Sequence, residues 1–276
     1  MKTYLLIISI TFFTHLASGQ WLKGQIVELD TGIPIPYARL GVLHKNKGVV
    51  SDSSGYFRMD LTNLSENDTV IISAIGYEKI EFIVSHCRIY LLQHANLRLE
   101  LSPKSKLHQE VVVEIGKSKI LETGNNVKST LYIAGFQNKS LGAEMGTVLK
   151  YNKKKKGIII KLHFNIVGNP TDTVKFRTNI YTFENDLPGK SILNHPIYYC
   201  GIPSKGAIEI DVSGWNISVK NDCFVSIELI ENIGMDGLFF KSAFLRSKSY
   251  IRDAPEGVWN KAMIDLGFWA EIKFYR

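Results

Sequence analysis

Between residues 24 and 77 the chain is cut into short alternating segments by closely spaced turn formers, and that pattern excludes most folds. The stretch runs through Gly24-Gln25-Ile26-Val27, Gly32-Ile33-Pro34-Ile35-Pro36-Tyr37-Ala38, Ser51-Asp52-Ser53-Ser54-Gly55-Tyr56-Phe57 and Ile71-Ile72-Ser73-Ala74-Ile75-Gly76-Tyr77. Apolar residues recur every second position rather than every three or four, which is the period of a half-buried strand. Residues 56–61 place Tyr56, Arg58 and Asp60 on one face and Phe57, Met59 and Leu61 on the other. Before them, Asp52 and the serines have oxygens placed to bond backbone amides ahead, and Gly55 supplies a positive φ. Pro34 and Pro36 hold an extended segment that cannot donate ladder hydrogen bonds. Residues 24–28, 38–44, 49–51, 70–74, 79–84 and 88–92 read as further strands, and Leu97, Leu99 and Leu101 alternate with Arg98 and Glu100 as a last one.

The glycine, the Pro-x-x-Ala-like segment, the Asp52-to-Phe57 turn and the Gly76-Tyr77 pair, in that order, resemble the carboxypeptidase regulatory-like family. The resemblance spans about the first third of the chain. It implies a transthyretin-like sandwich of the kind common in secreted and outer-membrane proteins of Bacteroidetes-type bacteria, accessory rather than catalytic. The segment His108-Gln109-Glu110-Val111-Val112-Val113 resembles the one that leads into a receptor plug in many relatives. Too few residues follow for a plug and a long barrel, so a nutrient-receptor function is set aside.

The N-terminus reads as an export signal. Lys2 precedes an apolar core over residues 4–13, and Ala17-Ser18-Gly19 makes a small-residue cleavage site. That apolar run is shorter than the roughly 20 residues a membrane-spanning helix needs. The reading therefore divides the chain into a signal peptide (1–19), a regulatory-like sandwich (20–114), a polar linker (115–129) and a second domain (130–276). The location that follows is exported: periplasm, outer-membrane surface or secreted, with no transmembrane segment after signal removal.

Charge is uneven along the 276 residues. Residues 20–116 carry 10 basic and 11 acidic side chains, and residues 117–276 carry 22 and 15. The excess includes Lys153-Lys154-Lys155-Lys156, which between Tyr151 and Gly157 reads as a solvated hairpin tip. No interleaving of bases with aromatics marks a nucleic-acid face, so nucleic acid is not an expected partner. The weaker reading of the lysine run is contact with an anionic surface such as lipopolysaccharide or acidic glycan. Cys87, Cys200 and Cys223 are an odd set for an exported chain. Cys200 and Cys223 either pair across neighbouring strands or sit free as small hydrophobes.

In the second half, residues 141–151, 157–167, 174–183, 207–212, 223–231 and 266–274 read as strands separated by turn clusters. No amphipathic helix of convincing length appears. The fold class is therefore all-β: a seven-stranded-type immunoglobulin/transthyretin-like sandwich, then a jelly-roll-like β-sandwich. Residues 185–189, 212–218 and 250–259 resemble jelly-roll domains of secreted Bacteroidetes proteins, some of which bind carbohydrate.

Catalytic signatures are missing from the sequence. No His is followed three positions later by Glu, and there is no His-Glu-x-x-His, Gly-x-Ser-x-Gly or phosphate-loop pattern. No cofactor, catalytic residue or metal ligand is expected; Asp211, Asp222 and Asp236 are the acids a structural calcium would use, though none lies in a loop of regular oxygen spacing. Binding is left as the function. Sugars present apolar C–H faces that stack on aromatic rings and hydroxyls that need planar polar partners. Trp215 with Asn216, Tyr198 and Tyr199, and Trp259 with Asn260 are the candidates, each of which is otherwise a core or strand-edge residue. Trp215, between Gly214 and Asn216, is the best placed for an exposed ring. The sequence thus reads as a non-enzymatic envelope or surface protein with a glycan or protein partner. The alternatives are an accessory or remnant of a hydrolase family, and a purely structural component.

Overall fold

The computed structural model describes residues 21–94, 96–104, 117–137, 141–168, 173–203, 206–233, 237–244 and 248–275. Residues 1–19, read above as an export signal, and Asp236 lie outside the described residues. The architecture is all-β, built from two sandwiches in series.

The first sandwich comprises β1 (Trp21–Glu28), β2 (Arg39–Val42), β3 (Gly48–Val50), β4 (Tyr56–Asp60), β5 (Thr69–Ser73), β6 (Ile80–Ile83), a helix α1 (Val84–Gln93) and β7 (Leu97–Leu101). Sheet order is β4-β1-β7 in one layer and β3-β2-β5-β6 in the other. β1 and β7 run parallel, while its other pairs are antiparallel. The core between the layers holds Leu22, Ile26, Leu40, Phe57, Met59 and Ile72. Phe57 and Met59 point inward and Tyr56 and Arg58 outward, as the period-2 pattern predicts. At the turn before β4, Asp52 Oδ1 accepts hydrogen bonds from the amides of Ser54 (2.8 Å) and Tyr56 (2.9 Å), and Gly55 has φ +75°.

Residues 88–92 are not a strand. They belong to α1, whose Val84, Cys87 and Leu91 face the core at helical spacing. Ile89 and Leu92 are exposed on its outer side, and these apolar residues hide the helical period from a reading of the sequence. Arg88 ties the helix down by donating from Nη2 to the carbonyls of Leu61 and Leu64 (both 3.1 Å).

The second sandwich starts earlier than expected. The segment read as a linker contains β8 (Ser118–Gly124), which pairs along its whole length with the last strand and completes a sheet of the second unit. There follow β9 (Tyr132–Phe136), β10 (Glu144–Leu149), β11 (Gly157–Asn165), β12 (Val174–Glu184), β13 (Leu187–Ser191), β14 (Ile197–Gly201), β15 (Ala207–Asp211), β16 (Ile217–Val219), β17 (Cys223–Leu229), β18 (Leu238–Phe244), β19 (Ser249–Arg252), β20 (Asn260–Lys261), β21 (Ile264–Leu266) and β22 (Phe268–Tyr275). One sheet runs β13-β12-β17-β10-β19-β20, with β14 also on β12; the facing sheet runs β15-β11-β22-β8, with β16 also on β11. A three-stranded sheet β21-β18-β9 closes one side. Between the sheets lie Phe164, Phe176, Phe240 and Phe268, all fully buried and meeting edge-to-face.

One further expectation is corrected here, and one open alternative is decided. The lysine run is not a hairpin tip, because β10 and β11 lie in different sheets and residues 150–156 cross from one layer to the other. Cys200 and Cys223 do not pair. Cys200 is exposed on β14, whereas Cys223 is buried on β17, where burial pushes its thiol pKa up to about 12.

Close backbone approach fixes the parallel β1–β7 contact. A Cβ at Gly24 would stand 2.2 Å from the Leu97 carbonyl oxygen, whereas one at Gly214 would meet nothing within 4 Å. Gly24→Ala is expected to destabilise the chain by about 1–3 kcal/mol, and Gly214→Ala to change it by about 0.5 kcal/mol or less. Urea denaturation followed by tryptophan fluorescence checks both.

Candidate functional site

The two sandwiches meet face to face through charge. Arg39 on β2 of the first reaches Glu228 on β17 of the second, with Nε donating to both carboxylate oxygens (2.9 and 3.0 Å) and Nη2 to Oε2. Arg177 on β12 grips the same carboxylate from the other side through Nε (3.0 Å) and Nη2 (2.9 Å). The third guanidinium arm of Arg177 donates to the Tyr37 backbone carbonyl at 2.6 Å, again crossing between the units. Asn179 donates to Glu228 and Glu144 (both 2.9 Å), and Arg252 grips Glu144 through Nε (2.9 Å) and Nη2 (2.5 Å). The Tyr181 hydroxyl sits at the centre, giving its proton to Glu144 (2.9 Å) and accepting from Arg39 (2.9 Å).

All of these side chains are buried. Three arginines therefore face two glutamates in a dry interface, and aromatic faces absorb part of the excess: the Arg252 guanidinium lies 4.6 Å from the Trp259 ring centre. Burial works to raise the Glu228 pKa, but the charges of Arg177 and Arg39 outweigh it and hold the carboxyl well below the ordinary range. Burial likewise pushes the Tyr181 phenol up, so it stays protonated as a donor.

Around this lattice the fit is close. A Cβ at Gly41 on β2 would stand 2.0 Å from the Pro255 carbonyl oxygen, so only glycine admits the loop after β19 at that point. The amide of His44 donates to the Glu256 carbonyl at 3.1 Å, and Asn46 to Asp253 at 3.1 Å. Tyr37, Val50 and Ile230 form a small apolar cluster across the junction.

Beside this junction the units part to leave a cleft of about 780 Å³. The first sandwich lines it with Glu28, Pro36, residues 74–78 and Lys104; the second with Arg177, residues 192–196, Tyr198, Trp215 and Ile217. Trp215 ends a one-turn helix at residues 213–215, and Asn216 turns the chain back in the left-handed region (φ 51°). The Trp215 ring is 42 % exposed, with the His195 ring 6.4 Å away and tilted 58°. Tyr198 packs edge-on to Tyr37 at 5.4 Å. On the opposite wall, Tyr77 donates to Glu28 at 2.9 Å; burial and that carboxylate push its phenol up to about 12. Gly76 has φ +90°, and a Cβ there would stand 3.0 Å from the Asn194 carbonyl oxygen of the facing wall.

Of the six residues singled out in the sequence, Trp215 and Tyr198 line one cleft, Asn216 adjoins Trp215 in the chain, and Asn260 lies exposed on β20 outside the cleft. Tyr199 points the other way, stacking on Phe176 at 5.0 Å against the core. Trp259 packs on Tyr181, Phe224 and Arg252, at the far side of the charge lattice. Neither is a cleft residue. Sequence reasoning missed Glu28, Tyr77, Asn194 and His195. Gly76-Tyr77 was visible as a turn, but the wall it would face came from the other sandwich. Asp211 caps the Ser213 amide (2.9 Å) and Asp222 the Tyr151 amide (2.8 Å). Among the described residues no cluster of His, Cys, Asp and Glu is arranged to hold a metal ion.

A two-sandwich protein with an interface of buried charge and an aromatic-rimmed cleft is the class the geometry defines. Residues 22–113 match the family model of the CarboxypepD_reg-like domain. No curated protein matches the chain. Among solved structures, the cysteine protease and lectin-like domains of Cwp84, a surface layer associated protein of Clostridium difficile, are similar at 7% identity with a TM-score of 0.41, covering 85% of this chain and 50% of that one. Infectious bursal disease virus Gx strain is similar at 9% identity with a TM-score of 0.30, covering 92% and 56%. The chain thus spans about half the length of the solved chains it matches.

Removing the Glu228 charge leaves Arg39 and Arg177 buried without their counter-ion. Glu228→Gln is expected to cost about 3–5 kcal/mol in urea denaturation. The wild-type lattice also predicts acid sensitivity. With the folded pKa depressed, the Glu228 contribution is complete above the unfolded value of about 4.3 and is lost as pH falls toward the folded one. Stability measured from pH 7 downward should therefore fall below about pH 5, and the Glu228→Gln protein should lose less over the same interval.

Proposed function

We propose that this chain is an exported, non-catalytic binding protein that holds a glycan in the cleft between its two sandwiches. The first sandwich acts as an accessory wall and the second supplies the stacking platform. The observation that carries this reading is Trp215, a large ring left 42 % exposed on the rim of a cleft it shares with Tyr198 and Tyr77. A pyranose laid against the indole would have Asn194, His195, Glu28 and Glu78 within the same cleft as partners for its hydroxyls.

Support for an accessory rather than a catalytic role comes from the regulatory-like family of residues 22–113. Arg177, which lines the cleft, directs its donors to Glu228 and the Tyr37 carbonyl. Export follows from the signal-like segment at residues 1–19. No helix among the described residues is long and apolar enough to cross a membrane.

A glycan array followed by calorimetric titration of the hits tests the proposal. Trp215→Ala is expected to weaken binding at least tenfold, equivalent to about 1.4 kcal/mol, with unfolding unchanged. Silence across the array, or affinity indifferent to both Trp215→Ala and Tyr198→Ala, would contradict it and leave a structural or protein-binding role.

A further inference from the structure

We propose that the end of the second sandwich opposite the Asn165–Ala207 pairing of β11 and β15 docks on an anionic phospholipid surface through a lysine platform assembled from four strands. The register places the pieces. Gly157 at the start of β11 pairs with Val219 of β16 on one side and with Phe274 of β22 on the other, and Phe274 pairs with Lys119 of β8. Four strand ends therefore stand side by side, in the order β16-β11-β22-β8. At about 4.8 Å per strand they span about 14 Å.

Lysines 153–156 lead directly into β11, Lys220 leaves β16 beside them, and Lys117 precedes β8. Lys119 and Lys273 lie on paired strands one or two positions in. Eight ammonium groups thus gather from segments far apart in sequence. Among the described residues Lys117, Lys119, Lys154, Lys156, Lys220 and Lys273 make no ion pair, and Lys153 rests instead on the Phe274 ring at 5.5 Å. The nearby Asp222 is engaged with Lys150 at 2.7 Å.

Three features favour a bilayer over another polyanion. The described cations of the platform are all lysines, flexible point charges that snorkel, whereas bidentate recognition of individual phosphates on a nucleic acid favours arginine. Apolar groups are interleaved with them: Ile120 is 59 % exposed, and Lys273 lies over the Tyr275 ring at 5.4 Å. Such a pairing of basic and amphipathic side chains suits the headgroup boundary of a membrane. The platform is also the blunt end of a sheet, a shape that meets a plane rather than a strand of polymer. Anionic lipid headgroups would neutralise the six lysines that make no ion pair among the described residues.

The test is co-sedimentation of the purified chain with vesicles of phosphatidylcholine alone and of phosphatidylcholine with an equal amount of phosphatidylglycerol. Binding to the anionic vesicles only, weakening steeply as salt is raised, is expected. Replacing lysines 153–156 together by serine should weaken it roughly a hundredfold. Lys119→Ser with Lys220→Ser, on elements other than that loop, should weaken it about tenfold, and Lys23→Ser on the first sandwich should not change it. Equal partitioning to both vesicle types, no partitioning, unaltered affinity in both platform variants, or capture by heparin or DNA without capture by vesicles would overturn the proposal.

Discussion

The carboxylate of Glu228 is the point on which the arrangement of this molecule turns. It sits in a strand of the second sandwich, yet one of the two guanidiniums that neutralise it comes from the first. A buried ion pair gives little net stability relative to apolar side chains of the same volume, because desolvation offsets most of the attraction. Its energetic weight lies in the alternatives: any relative placement of the sandwiches that separates Arg39 from Glu228 strands charge in a dry interface. The lattice therefore selects one orientation rather than adding a large increment of stability. Pro255 against Gly41 supplies the steric half of the same selection.

The cleft is a consequence of that orientation. Its walls belong to different sandwiches, Glu28 and residues 74–78 on one side and residues 192–196 with Trp215 on the other. Arg177 couples the two features, since its side chain both reaches the cleft and binds Glu228 and the Tyr37 carbonyl. A change in the lattice is thereby a change in the shape of the cleft.

Local patterns were readable where one residue type has one physical use. The Asp52 turn, the alternation through β4 and the position of Gly55 all follow from short-range rules, and the structure has them as the sequence predicts. What was not readable depended on partners far along the chain. β8 looks like a polar linker because it is an edge strand, mostly exposed, defined only by its pairing with β22 at the other end of the unit. α1 looks like a strand because Ile89 and Leu92 fill its outer face with apolar residues. Glu144, Arg177, Glu228 and Arg252 gave no signal, since isolated charges within apolar strands declare themselves only when paired across 35 to 189 positions. Trp215 was legible from its glycine and asparagine neighbours, but Tyr77 and His195 were not, because the wall each faces is built by the other sandwich.

Scanning calorimetry of the whole chain tests most directly whether the two sandwiches are held as one body. If the lattice couples them as described, the chain melts in a single transition whose calorimetric and van't Hoff enthalpies agree. Two separated transitions, each with the enthalpy of one sandwich, would contradict it.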